Sequence, residues 1–414
     1  MQRTLDAILK RLIVEGEFAV RWPDATRTVY VGRPGPHAEV AIKDNRTIRR
    51  IILNPSLAVG EAYMDGTLVP LGCSLFELLD LLIANAMAAG GGTRIMRWRA
   101  RLGQPFRRLA QHNPASRARR NAAHHYDLNS RLYSLFLDRD RQYSCGYFPS
   151  GNETIDEAQE AKKRHIAAKL LLDRPDLSVL DIGSGWGGLA LTLAEDYGAR
   201  VFGITLSSEQ LTESRARAAA AGLADRVRFE LLDYRALDQR FDRIVSVGMF
   251  EHVGVGYYPA FFTALKRCLA PDGVALLHAI SRSDGPGATN PWIAKYIFPG
   301  GYTPALSEVL PVIERAGLWA TDIEVLRLHY AKTLACWRQR FLANRDTILA
   351  LTDERFCRMW EFYLVGSELA FRREGQMVFQ IQIARSVDAV PMTRNYMIED
   401  EARATRLHAA RTNA

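Results

Sequence analysis

The run SVLDIGSGWGG at residues 178–188 constrains this chain more than any other stretch. An apolar segment of strand composition feeds directly into Gly183, Gly185, Gly187 and Gly188, and the helical LALTLAEDYG follows at once. Glycines in that position let the backbone turn tightly and approach a ligand, while the helix behind them offers free N–H groups to polar ligand atoms. Downstream, the apolar runs RVFGITL, VRFELLD, FDRIVSVGM and GVALLHAI alternate with helical stretches, the pattern of a parallel sheet with helices on both faces. Such sheets bind ligands at the carboxyl ends of their strands. NAD and FAD domains share a glycine-rich turn. Here the spacing is GxGxGG, and the second strand ends in Thr205-Leu-Ser-Ser-Glu209-Gln210 with no acid immediately after it to hold a ribose. Both departures turn the reading away from a dinucleotide.

Three stretches differ in texture. Residues 1–88 combine an amphipathic opening helix with β-rich runs such as TRTVYVG, AEVAIK and IRRIILN and close on SLFELLDLLIANAM, which reads as a small α+β domain. Residues 89–120 open on AGGGT and hold nine Arg and no acid, with Gly103, Pro105 and Pro114 interrupting any continuous helix. Residues 1–90 carry no net charge and residues 121–414 only −1, so the +8 of the whole chain resides in this linker. A single basic segment weighs against a nucleic-acid binder, whose Lys and Arg spread over a folded face. It suits an anionic bilayer surface, which attracts each nearby Arg by about 1 kcal/mol, with Ile95, Met96, Trp98, Leu102 and Phe106 dipping into the interface. A solvated tether is the plain alternative. Residues 121–414 form the alternating domain, which ends in a helical region at about 331–373 and a β-like MVFQIQIAR. No apolar run reaches the ~20 residues of a membrane span, and five scattered cysteines without a CxxC pair suit a reducing compartment.

VLDIGSGWGG, GITLSSEQ and FDRIVSVGMFEHVG, with HHYDLNSRLYSLFLD and YSCGYF upstream, resemble the S-adenosylmethionine-dependent cyclopropane-fatty-acyl-phospholipid synthases and the related mycolic acid cyclopropane synthases. The resemblance runs from about His124 to the C-terminus. It implies a Rossmann-like class I methyltransferase domain, with a mostly parallel seven-stranded sheet, preceded by the small α+β domain. It also implies that Tyr143, Ser144, Asp181, Gly183, Gly185, Gly187, Thr205, Gln210, Asp233 and Tyr234 surround S-adenosylmethionine. The chemistry agrees: Gln210 can bond ribose hydroxyls, Asp233 can accept from an adenine amino group, and the rings of Tyr143 or Trp186 can face the sulfonium.

Methylating an isolated alkene leaves a carbocation that a base must deprotonate for a three-membered ring to close, so the site must be dry and apolar with one positioned base. In the family that the chain resembles, the base is a bound bicarbonate. Its cradle maps onto the side chains of Glu251, His278 and Tyr330 and the backbone of Cys145 and Ile280. Taken singly, His278 reads as a core histidine, Glu251 as a helix-start carboxylate and Tyr330 as a packing residue; their register with the cofactor motifs carries the functional reading. Ser367 stands where the best-known members have a cysteine, and Cys357 lies ten residues upstream, nearly three helical turns away, which weakens a covalent-cysteine mechanism. Trp292–Pro304 and the aromatic residues Trp337, Phe341, Trp360, Tyr363 and Phe371 are candidates for an acyl tunnel. His124-His125-Tyr126-Asp127 has no third ligand at suitable spacing, so no metal is expected. The resemblance further implies unsaturated membrane phospholipids as substrate, a homodimer, and a cytoplasmic protein held peripherally on the inner membrane surface. Alternatives are a sister enzyme giving methylene or methyl-branched chains, a small-amine methyltransferase, and a catalytically silent lipid-binding protein.

Overall fold

The computed structural model describes residues 1–89 and 130–412, which fall into two compact units. The Arg-rich stretch and the His124–Asp127 motif lie outside the described residues.

The first unit comprises residues 1–89, 288–299 and 334–375. Helix α1 (Gln2–Leu12) leads into strands β1 (Glu15–Arg21), β2 (Arg27–Val31) and β3 (Arg33–Ile42), followed by α2 (Asn45–Leu53), α3 (Pro55–Met64), β4 (Leu68–Leu71) and α4 (Leu75–Ala88). The sheet order is β2-β1-β3-β4, with β1 and β3 parallel and the other pairs antiparallel. One residue, Gly32, reverses the chain around the start of β1, and a Cβ there would lie 2.3 Å from the carbonyl carbon of Val14. Asn85 of α4 fixes the same corner: its side chain accepts from the amides of Val14 (2.8 Å) and Glu15 (2.9 Å) and donates to the Glu15 carbonyl (2.9 Å). Leu5, Leu9, Phe18, Val20, Trp22, Ile48 and Leu78 fill the core.

The run IRRIILN, read from sequence as β-rich, is the body of α2. Its β-branched composition is overridden by a cap and by helical spacing: the Asp44 carboxylate accepts from the Thr47 amide at 2.7 Å, and Ile48, Ile51 and Ile52 face the core while Arg46 and Arg49 face solvent.

Residues 334–375, which the sequence reading joins to the 121–414 domain, belong to this first unit together with 288–299. The helix Glu354–Arg373 buries Val365 and Leu369 against Tyr63, Leu75 and Leu79. Tyr63 donates to Glu361 at 2.8 Å, Arg373 pairs with Asp80 at 2.7 Å, and the buried Glu61 accepts from Lys295 at 2.6 Å and from Tyr296 at 2.8 Å.

The second unit holds a seven-stranded sheet of β5 (Ser178–Ile182), β6 (Arg200–Thr205), β7 (Val227–Leu231), β8 (Phe241–Val247), β9 (Leu269–Arg282), β10 (Trp319–Val325) and β11 (Gln376–Ala384), in the order β10-β11-β9-β8-β5-β6-β7. Every pair is parallel except those made by β11. Two clusters of apolar side chains cover the faces, one around Phe250, Phe261, Phe262 and Phe379, the other around Ile166, Leu189, Leu193 and Phe229. Strand β10, WATDIEV, carries no clear sequence signal because it is a half-exposed edge strand. β5 lies between β6 and β8, so the chain leaves it first to one side and later to the other. That reversal of strand order opens a crevice at the carboxyl ends. Helix α5 (Ile155–Lys169) opens with a capping box between Thr154 and Glu157 and is buried on most of its circumference.

Asp44→Ala should lower the stability of the first unit by about 1 kcal/mol, the usual worth of a helix cap, seen as a lower urea midpoint. Asp44→Asn should stay close to wild type. Equal loss in both variants would remove the cap as the reason for the helix.

Candidate functional site

The crevice is bounded by loops following β5, β6, β7 and β8 and by the segment 141–144. After β5, Gly183, Gly185 and Gly187 adopt φ values of +86°, +54° and +84°, a region that L side chains enter only at a cost. Space adds to conformation. A Cβ on Gly183 would lie 2.9 Å from that of Met249, and one on Gly187 would lie 2.7 Å from the Phe229 ring. Helix α6 (Gly188–Tyr197) starts immediately behind and aims its free amides into the crevice.

Nine of the ten residues read from sequence as cofactor contacts line this crevice: Tyr143, Ser144, Asp181, Gly183, Gly185, Thr205, Gln210, Asp233 and Tyr234. Gly187 does not; it packs on Phe229 and starts the helix. Gln210, in the first turn of α7 (Ser208–Ala220), accepts through Oε1 from the Thr205 hydroxyl at 2.8 Å, which leaves its NH2 to offer a ligand. Asp233 accepts from Arg235 Nε at 2.8 Å and Nη2 at 2.6 Å, and that guanidinium lies 5.5 Å from the centre of the Tyr234 ring. Arg235 therefore already holds the carboxylate read as an adenine acceptor, and a further bond must use one of its remaining lone pairs. Of the two rings read as sulfonium partners, Tyr143 meets Tyr133 edge-on at 5.4 Å, whereas Trp186 already has the Arg141 guanidinium 5.6 Å from its centre. Arg141, Gln142, Met249 and His252 also line the crevice. Sequence reading missed them because nothing local distinguishes a crevice-facing loop residue from an ordinary one.

Asp181 is fully enclosed, and its Oδ2 has no hydrogen-bond partner among the described residues. Burial pushes its carboxyl up to about 7, against the pull of the Lys162 charge. A carboxylate held in this way favours a cationic ligand group such as an ammonium, which would restore its ionised form.

The five residues read as an anion cradle do not line the crevice; they are buried or half-buried. Glu251, directly after Met249 and Phe250, accepts from the Ile280 amide through Oε1 at 2.6 Å, and its Oε2 is buried without a partner among the described residues. The Ile280 amide, read from sequence as facing an anion, thus serves Glu251. Burial raises the Glu251 carboxyl to about 7. His278 faces the side-chain NH2 of Gln380 on β11, with Nδ1 at 3.1 Å. An NH2 neighbour makes Nδ1 the acceptor and leaves the ring proton on Nε2. Burial lowers His278 to about 3, so the ring is neutral. Gln380 is a positioning group that sequence reading missed, visible only once β11 pairs with β9. Cys145 is enclosed, and burial pushes its thiol up, far from thiolate chemistry. The segment beyond it runs along the start of helix α8 (His329–Ala343): the Gly146 amide donates to Thr333 Oγ1 and the Phe148 amide to His329 Nδ1, each at 2.9 Å. Cys145 and the buried Tyr330 thereby come to one region.

These groups fit S-adenosylmethionine, with glycine amides, an unpartnered carboxylate for its cationic end, and a polar donor in Gln210. They also fit a small oxyanion able both to donate and to accept, because Glu251 Oε2 and His278 Nε2 present complementary functions.

The sequence profile of the mycolic acid cyclopropane synthetase family matches residues 113–381, and that of a domain of unknown function matches residues 4–89. The chain is 44% identical over 259 residues to a probable fatty acid methyltransferase of Pseudomonas putida; the match covers 61% of this chain and 65% of the relative, under two thirds of its length. It is 37% identical over 352 residues to the cyclopropane-fatty-acyl-phospholipid synthase of Escherichia coli strain K12, covering 85% of this chain and 89% of that one. The crystal structure of a mycolic acid cyclopropane synthase complexed with SAH and CTAB superposes with a TM-score of 0.61 at 34% identity, covering 66% of this chain and 99% of that one. With its glycine loop, its strand order and its enclosed carboxylates, the chain belongs to the mycolic acid cyclopropane synthetase family and is an S-adenosylmethionine-dependent methyltransferase.

Proposed function

We propose that this enzyme adds a methylene unit from S-adenosylmethionine across the cis double bond of unsaturated phospholipid acyl chains, forming cyclopropane acyl chains. The observation that carries the reading is Glu251, an enclosed carboxyl group poised between its two protonation states, with one oxygen unpartnered, beside a cofactor crevice. When bound, the cofactor supplies an electrophilic methyl group and bicarbonate supplies a base for the proton lost at ring closure. The residues around them bind and orient. Asp181 and Gln210 hold the polar ends of the cofactor, and the glycine loop excludes side chains from its path. Glu251 donates from Oε2 when protonated, with Oε1 fixed by the Ile280 amide. His278 donates from Nε2, oriented by Gln380. The Tyr330 hydroxyl and the backbone at Cys145 complete the cradle. The Cys145 thiol stays protonated and so does not compete for the cationic chain. Incubation with unsaturated phospholipid vesicles and S-adenosylmethionine should add one CH2 per modified acyl chain. Absence of any gain with protein that binds the cofactor would end this reading.

A second reading follows from the Pseudomonas putida relative, named a probable fatty acid methyltransferase: the same crevice serving a product with a methyl branch or a methylene group. Loss of a proton elsewhere leaves a double bond in either of those products, so mild hydrogenation separates the two readings: it saturates an alkene and spares a cyclopropane.

Membrane engagement belongs to the same proposal. Among the described residues no helix is long and apolar enough to cross a membrane, so the nine Arg of residues 91–120 are proposed to dock a homodimer on an anionic inner-membrane surface. Binding to anionic vesicles should weaken as salt rises from 0.05 to 0.5 M, since the Debye length shrinks below about 10 Å, and on Arg→Gln substitution in the segment. Indifference to both reduces the segment to a tether.

Glu251→Gln should lower turnover by about 10²-fold or more while S-adenosylhomocysteine binding persists. The stability change has the opposite sign. A carboxyl raised to about 7 binds its proton more tightly folded than unfolded, so its contribution is full below the unfolded value near 4.3 and is lost as pH rises through 7. Gln escapes that loss, and the variant should therefore melt higher than wild type at pH 8 and close to it at pH 4.5. A lower melting temperature at pH 8 would contradict the assignment.

A further inference from the structure

Helix α5 carries three buried lysines. Lys163 pairs with Asp140 and Glu160, each at 2.8 Å, and Lys169 pairs with Glu324. Lys162, with no exposed surface at all, has no carboxylate within ion-pair distance among the described residues. Its Nζ donates instead to Ser144 Oγ at 3.0 Å and to Gln142 Oε1. One turn earlier on the same face, Gln159 Nε2 donates to the carbonyls of Ser144 (2.9 Å) and Gln142 (3.2 Å). The helix thus holds segment 142–144 by its main chain and by its side chains, and that segment is a wall of the cofactor crevice. A buried cation that meets only neutral oxygens is expensive, and such groups mark sites where a charge is used.

The charges around Lys162 indicate that use. Asp138 and Asp140 support its ammonium, Lys163 opposes it, and Cys145 lies within its reach; burial dominates and lowers the group to about 8. In turn, Lys162 is the charge that favours ionised Asp181, and it adds to the burial that disfavours protonated His278.

We infer that Lys162 is a positioning residue for cofactor binding: it clamps the Gln142 and Ser144 side chains from behind the crevice wall, and its charge acts on the Asp181 carboxylate that receives the cofactor's ammonium group. The inference rests on the cofactor part of the function proposed above.

Calorimetric titration of S-adenosylhomocysteine into the full-length protein at pH 7 and pH 9, with melting temperatures recorded alongside, tests it. Lys162→Met should weaken binding about fivefold at pH 7, the fall in ionised Asp181 when a carboxyl near 7 moves up by one pK unit. At pH 9 the loss should shrink to about threefold or less, because Lys162 is then largely neutral in wild type and Asp181 is ionised in both proteins. Lys162→Gln keeps a donor for Ser144 and lacks the charge, and it substitutes for the Met variant if that fails to fold. It should show the same pH-dependent loss. Equal loss at both pH values, tracking a lower melting temperature, would reduce Lys162 to a structural role and overturn the inference, as would affinity within twofold of wild type at pH 7. Wild-type protein that fails to bind S-adenosylhomocysteine would overturn the cofactor reading and this inference together; wild-type binding with unaffected variants overturns the inference alone.

Discussion

At the carboxyl end of β5 the backbone must turn within a few residues, keep its amides toward a ligand and start a helix, all in a space closed by Met249 and Phe229. Glycine at three positive-φ positions is the solution, and the rest of the second unit is arranged around it. β6 and β8 flank β5 and β7 lies beyond β6, so the loops that end these strands bring Gln210, Asp233 and Met249 to one crevice. Widening the turn by a side chain at Gly183 would displace Met249, which lies just beyond the end of β8 and two positions before Glu251. Cofactor crevice and enclosed carboxylate are therefore mechanically one feature.

Burial of ionisable groups is the second constraint. Asp181, Glu251, His278 and Lys162 are all buried, and each is displaced toward its neutral form by that burial. A stability-driven core would replace such groups by apolar residues. Their retention beside the crevice has a chemical consequence: neutral His278 and half-protonated Glu251 can donate hydrogen bonds without presenting a full charge, which suits the cationic acyl chain of the proposed reaction. The hydrogen bonds from Ile280 and Gln380 set which atoms remain available.

Much of this was legible in the sequence because it depends on local patterns. The glycine loop, five strands of the parallel sheet, the final strand at MVFQIQIAR and nine of ten crevice residues follow from short motifs whose meaning does not change with context. Where the reading departs from the structure, a contact that no motif encodes decides. IRRIILN has strand composition, but Asp44 caps it and the core of the first unit takes its apolar face, so it is helical. β10 pairs only as an edge and lacks an apolar signature. Arg235 engages Asp233 through a two-residue loop contact that no motif encodes.

By itself the sequence determined the fold class, the cofactor loop and the family, because backbone conformation at Gly183–Gly187 and the strand–helix alternation are set by residue type and spacing. Only the tertiary structure decided which chemistry those residues have available. Hydrogen-bond partners and burial depend on neighbours far along the chain: Gln380 stands 102 residues from His278, Ile280 stands 29 from Glu251, and Lys162 reaches Ser144 across 18. Protonation state is a property of enclosure, and enclosure exists only after the sheet, its helices and its loops have closed on one another.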